Sequence, residues 1–290
     1  MTRIALFLAT NVAIMIVISL VFSLFGLSGT LQSNGVDLDL NALLLVSMII
    51  GITGSVISLA MSKSMAKRSM NVQVIEQPQN STEQWLVSVV SKQAEKAGIG
   101  MPEVGIFNNP TPNAFATGMN KNNALVAVST GLLNAMSKDE VEAVLGHEVS
   151  HVANGDMITM ALMQGVVNTF VYFFASVIGH IVDRAILKNE RGHGIGYFVT
   201  QMLAQVVLSF LASMLVMWFS RYREFHADKG GADLAGKQNM IAALRALQRS
   251  NEPNDMPEEL AAFGINGGQV KRLFMSHPPL EERIAALQSS

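Results

Sequence analysis

The sequence predicts a mainly α-helical integral membrane protein: four hydrophobic helices and a small α+β domain that the chain enters twice. Three observations lead there. The 290 residues are 50% hydrophobic and only 14% charged, against about 25% charge in a soluble domain. The apolar residues gather into four runs, at about 4–27, 40–61, 157–182 and 195–219, and the first two are uncharged and long enough to cross a bilayer. Between and after these runs, ordinary amphipathic helix and short-strand patterns return.

Residues 1–68 form the first expected unit, a transmembrane hairpin. Its first run is far longer than the 7–15 apolar residues of a cleaved leader, and a second span follows at once, so an uncleaved anchor is expected. Arg3 precedes the hairpin and Lys63, Lys67 and Arg68 follow it, whereas the Ser28–Asp39 loop has no Lys or Arg and carries Asp37 and Asp39. Positive flanks favour the cytoplasmic side, so both ends are expected inside. Cysteine is absent, which excludes disulfides and thiolate metal sites and leaves His, Asp and Glu as ligands. The net charge is −2 with no basic run, which argues against a nucleic-acid partner. The 18 methionines fall mostly in apolar segments, where they fill gaps or meet lipid.

Residues 69–156 read as the first part of a mixed domain on the cytoplasmic side. Ser81-Thr82-Glu83 opens a helix to about Lys96 with Trp85, Leu86, Val89 and Val90 on its apolar face. Val104–Phe107 and Ala124–Val128 are short strand candidates. Between them, Asn113, Ala114, Phe115 and Ala116 fit an edge strand to which an extended substrate adds through main-chain hydrogen bonds; a plain core-facing strand and turn is the other reading.

The next helix carries the chemistry. Ser137 and Glu140 form a capping box, Val141, Val144, Leu145 and Val152 keep helical spacing, and Asn154-Gly155 supplies a stop. On that helix lies His147-Glu148-Val149-Ser150-His151. Residues four apart share a face, so two imidazoles can meet one zinc ion. The Glu148 carboxylate sits where it can take a proton from a water whose pKa zinc lowers from near 16 to about 7. Three protein ligands and one open position are expected of a catalytic zinc. Asn154 and Met157 exclude the metzincin spacing, and Glu140, Glu142 and Asp156 flanking the motif fit poorly with a site inside a span.

Residues 157–219 form a second hydrophobic hairpin, in which Gln164, Asn168 and Gln201 suggest a packed or wet face. Its connecting loop has Arg184, Lys188 and Arg191 against Asp183 and Glu190, so charge does not set its side. If a ligand beyond it joins His147 and His151, the pair crosses twice or not at all. Two true spans are expected, the alternative being two helices tucked into the cytoplasmic domain. Residues 220–290 complete the domain. Glu224 and Asp228 share a helical face just after the fourth run; one carboxylate can bind zinc and the other can orient a zinc histidine.

His147 to His151, the following Asn154-Gly155-Asp156 and the Ser220–Asp228 stretch together resemble the HtpX family of bacterial inner-membrane zinc peptidases, which is related to the CAAX prenyl proteases and to the mitochondrial peptidase Oma. The resemblance runs over essentially the whole chain. It implies a zincin-like catalytic domain of the gluzincin type facing the cytoplasm. It also implies one zinc ion held by His147, His151 and Glu224, with Glu148 as base and Asp228 as partner of a ligating histidine. The implied activity is ATP-independent cleavage of misfolded or unfolded membrane proteins, as stress-responsive quality control. Ser276-His277-Pro278-Pro279-Leu280 matches a further family motif, and His277 can meet a developing oxyanion; a His before Pro-Pro is equally a helix start. Gly231–Lys237 looks like a phosphate-binding loop, but Gln238 replaces the magnesium-binding hydroxyl and no strand leads in, so no nucleotide is expected. A membrane zinc transporter or metal sensor, and a catalytically dead scaffold, are the rival classes.

Overall fold

A computed structural model describes residues 38–189, 192–251 and 276–289, with a few isolated positions before 38. The predicted 4–27 span and most of the loop after it lie outside the described residues. The described helices are α1 Leu40–Ser69, α2 Ser81–Ala97, α3 Thr130–Ala135, α4 Lys138–Asn154, α5 Asp156–Ile181, α6 Ile195–Ala235, α7 Lys237–Asn251 and α8 Leu280–Ser289. Three stretches, α1, α5 with the π-turn Val182–Ile186, and α6, are long and apolar enough to cross a membrane. The chain divides into two compact units, 1–58 with 159–216, and 59–158 with 217–290.

In the first unit α1 packs on α5. Leu40 and Leu44 meet Phe173. Further along, a Cβ on Gly51 would stand 2.7 Å from the Gly165 carbonyl and 2.5 Å from the Thr169 hydroxyl, so small residues set a backbone-close crossing of the kind membrane helices use. The polar residues noted in the sequence are paired: Gln164 donates to Asn168 and Gln201 to Ser176, each at 2.8 Å. Along α6, by contrast, Phe198, Met202, Val206 and Phe210 stand more than half exposed. So many large apolar side chains in one row need an apolar surrounding.

The second unit is a four-stranded sheet with helices packed on it. Its strands are β1 Gln73–Val74, β2 Glu103–Phe107, β3 Ala114–Thr117 and β4 Leu125–Ser129, in the order β1-β2-β4-β3. β2 and β4 run parallel, while β3 lies antiparallel on β4 as an edge strand. Every residue of β4 is buried, as expected of an interior strand covered on both faces. One face of the sheet joins α2, α4, α7 and α8 in a core containing Leu86, Val90, Val126, Leu145 and Leu244. On the other face Phe107, Leu125 and Phe115 pack together. The sequence reading placed α2, β2, β4 and the Ser137 box; β1, α3 and α7 enter with the structure.

Candidate active site

Helix α4 begins as its sequence requires. The Ser137 hydroxyl accepts from the Glu140 amide, the Glu140 carboxylate accepts from the Ser137 amide, and Gly155 closes the far end in a left-handed conformation. Between these caps the apolar face of α4 enters the core, and the turn carrying His147 and His151 is left facing α6. The two helices come unusually close there. A Cβ on Gly230 would fall 1.8 Å from the Ser150 Oγ and 2.8 Å from its Cβ. Only glycine on α6 lets the helix backbones approach this way.

That approach delivers Glu224. His147 Nε2 lies 3.5 Å from Glu224 Oε2 and His151 Nε2 lies 3.3 Å from Oε1, with the two Nε2 atoms 3.1 Å apart. One ligand atom from each of the three residues falls within 4.8 Å of the others. The opposite ring nitrogens are taken: His147 Nδ1 pairs with Asp228 Oδ1 at 2.9 Å and His151 Nδ1 with Asp156 Oδ2 at 2.7 Å. Carboxylates at both Nδ1 positions keep the protons there and turn two lone pairs toward each other. Glu224 Oε2 is buried without a hydrogen bond of good geometry. Two inward imidazole nitrogens and a buried carboxylate within reach of both are the donor set of one tetrahedral N/O-seeking cation, such as zinc.

The carboxylates are themselves braced. Arg283, from α8, reaches Asp228 through Nε at 2.8 Å and Nη2 at 2.5 Å, and its Nη1 lies 3.3 Å from Glu224. Arg223 pairs with the other oxygen of Asp156. Burial pushes His147 down, but Asp228 and Glu224 outweigh it and hold the imidazole above its ordinary value. For His151 burial again acts downward and is outweighed by Glu224 and Glu148, so it too is raised. A metal at these nitrogens takes neutral imidazole and so competes with the protons that the carboxylates favour.

Beside this group opens a cleft of about 690 Å³ whose walls include Asn113, Ala114, His147, Glu148, His277 and Arg283. His277 is 60% exposed, with Nδ1 2.8 Å from Glu224 Oε2. Thus His147, Glu148, His151, Glu224, Asp228 and His277 are brought together, with Asn113 and Ala114 at the rim. Ala116 packs against the core. Phe115 lies within edge strand β3, with its ring 5.4 Å from that of Phe107 on the other face of the sheet, because strand side chains alternate. Ser129 holds the rim in place, accepting from the amides of Asn113 and Leu132 and donating to the Thr111 carbonyl.

Sequence reasoning gave no role to Asp156, Arg223, Arg283 or Ser129. Asp156 had the clearest signal, an acid directly after the Asn154-Gly155 stop and five residues from His151. Gly231–Lys237, the phosphate-loop lookalike, is the end of α6 and the start of α7.

Apolar helices long enough to span, together with a His-Glu-x-x-His helix and a distant glutamate, define a multi-pass membrane metallopeptidase. The profile of Peptidase family M48 matches residues 80–290. Protease HtpX of Pseudoalteromonas atlantica is 65% identical over 288 residues, covering 99% of each chain, and that of Thioalkalivibrio sulfidiphilus is 63% identical, covering 100% of this chain and 99% of its own. Among solved structures, S. mikatae Ste24p superposes with a TM-score of 0.63 at 18% identity, covering 95% of this chain and 67% of its own, a likeness of fold. The chain belongs to Peptidase family M48.

Proposed function

We propose that the chain is a zinc endopeptidase that cuts misfolded or damaged membrane proteins without ATP, from the cytoplasmic face of a bacterial inner membrane. The observation that carries this reading is the convergence of His147, His151 and Glu224 beside a cleft that Glu148 also lines. In the gluzincin arrangement those three residues hold one zinc ion. When bound, zinc supplies a Lewis acid for the scissile carbonyl and acidifies the attacking water. Glu148 takes the proton of that water and delivers it to the leaving amine. Its place on α4, one residue from His147, keeps the carboxylate at the reacting atoms without making it a ligand. His277 is exposed at the cleft, where it can hydrogen-bond the oxyanion as charge develops. Asp228 and Asp156 hold the two histidines in the Nδ1-protonated tautomer.

Substrate alignment falls to β3. Asn113 and Phe115 spend their main-chain groups on the β4 side, so by antiparallel alternation Ala114 and Ala116 point theirs at the free edge. An extended, unfolded segment adds there as a further strand, which explains a preference for damaged proteins. The 4–27 run would add a fourth span to the three long apolar helices, and the basic flank at Lys63, Lys67 and Arg68 supports placing the catalytic unit inside. A zinc transporter would need ligands along its spans, whereas among the described residues the three-ligand group lies in the second unit.

The test is Glu148→Gln in the detergent-solubilised full chain. It should keep its zinc and lose cleavage of an unfolded protein by several orders of magnitude, as removal of a catalytic base does. Undiminished cleavage would overturn the mechanism.

A further inference from the structure

The tip of the α5–α6 hairpin carries a second pair of facing imidazoles. His180 stands at the end of α5, half-buried, and His193 lies just before α6, exposed. Their Nε2 atoms are 3.0 Å apart. His180 Nδ1 lies 2.8 Å from the Ser176 carbonyl oxygen, one turn back on α5. A carbonyl only accepts, so the proton sits on Nδ1, and Nε2 of the neutral ring aims a lone pair at His193. His193 is itself held in place. Asp183 accepts from the amide of Gly194, the next residue, at 3.0 Å and from the Asn189 side chain at 2.9 Å. The buried Tyr197 ring packs on both imidazoles, its centroid 4.6 Å from that of His180 and 4.2 Å from that of His193.

The His147–His151 pair has the same geometry. Its Nε2 atoms are 3.1 Å apart and its rings meet edge to face at 4.7 Å and 90°, against 3.0 Å, 4.8 Å and 78° at the tip. In each pair an oxygen behind a ring holds the proton on Nδ1 and leaves Nε2 facing its partner. We infer that His180 and His193 bind a divalent late transition ion between their Nε2 atoms. Two metal–nitrogen bonds of about 2.0 Å, meeting between a right angle and the tetrahedral angle, set their nitrogens roughly 2.8–3.3 Å apart, and the observed separation falls inside that range. Imidazole suits nickel, copper and zinc, with copper held most tightly. Among the described residues a group of three ligands forms only at His147, His151 and Glu224, so water completes the shell at the tip. With two protein ligands rather than three, this ion is the weaker and more exchangeable one. It ties the end of α5 to the start of α6, in the first unit, whereas the three-ligand group belongs to the second.

The experiment removes the cleft histidines first. The full-length His147→Ala, His151→Ala double variant, purified in detergent without a polyhistidine tag, is titrated with Cu2+ and followed by electron paramagnetic resonance. One ion per chain should bind, with the signature of two coordinated imidazole nitrogens. Adding His193→Ala should weaken it by at least the roughly 10- to 100-fold that losing even an outer partner of a ligand costs. His193 is exposed, so this change leaves the helices in place, which circular dichroism checks. Where the double variant does not fold, zinc-loaded wild type takes its place. Competition for zinc against a chelating dye should then count a second, weaker ion that His193→Ala removes while the tighter one stays. Two rings that only share an N–H···N hydrogen bond would hold no ion. No copper on the folded double variant, no second zinc on wild type, or an ion held equally well after His193→Ala overturns the site.

Discussion

Asp156 shows how much a single residue does at this site. Its carboxylate fixes His151 through one oxygen and meets Arg223 through the other, and it is buried. Asp156→Asn keeps the shape but supplies a neutral partner that can turn its amide toward Nδ1, so the ring loses its tautomer. Metal affinity, measured by chelator competition, should fall about 10- to 100-fold; unchanged affinity would reduce Asp156 to packing. The raised pKa values of His147 and His151 give a second expectation at this scale. Zinc binds neutral imidazole, and both rings protonate above their ordinary value of 6.5. Apparent zinc affinity should therefore begin to fall as pH drops while still above 6.5, which titration of zinc at several pH values reads directly. The metal-free protein behaves oppositely. Its charged imidazoles stabilise it fully below about 6.5, and that contribution fades as pH rises through the folded-state values.

Among elements, the crossing of α4 and α6 decides whether a site exists at all, since His147 and His151 ride on one and Glu224 on the other. Gly230→Val touches no ligand, yet its side chain collides with Ser150. Pushing α6 outward should strip zinc from a protein that still carries its helical circular dichroism; retained stoichiometric zinc would show that the crossing has slack. The same glycines explain what was and was not legible in the sequence. Helix α4 was legible because its capping box, apolar period and Gly155 stop lie within 19 residues of each other. The junction of α6 and α7 was not, because Gly230, Gly231 and Gly236 read locally as a loop. Tertiary packing overrides that propensity, since glycine is what lets α6 reach α4. The edge strand at Ala114–Thr117 was legible, but not which of its side chains face the core and which, like Phe115, pack on Phe107 at the other face. Arg283 was invisible because its partner Asp228 is 55 residues away, and nothing local in α8 distinguishes it from a surface arginine.

For the whole molecule, the open question is which way the α5–α6 pair travels. Asp156 opens α5 and Arg223 directly follows the apolar part of α6, and the two are in contact, so the pair leaves and returns at one place. The 26 residues of α5 extend about 39 Å, beyond the roughly 30 Å of bilayer hydrocarbon. The apolar part of α6 exposes large side chains that lipid would cover. At the tip, Asn189 and Gly194 both donate to the Asp183 carboxylate, which closes a polar turn with Lys188 exposed on it. A tight polar turn between two apolar helices is what a hairpin through the bilayer presents on its far side, although the mixed charges around Lys188 gave no direction. The chain has no cysteine, so Lys188→Cys would carry its sole thiol. In intact cells with the outer barrier opened, a membrane-impermeant maleimide should label Lys188→Cys, whereas Lys138→Cys at the start of α4 should react only after the inner membrane is permeabilised. Labelling of both sites only after permeabilisation would mean that the two helices fold back within the cytoplasmic side, and the pair would then be a buried part of the catalytic unit rather than its second anchor.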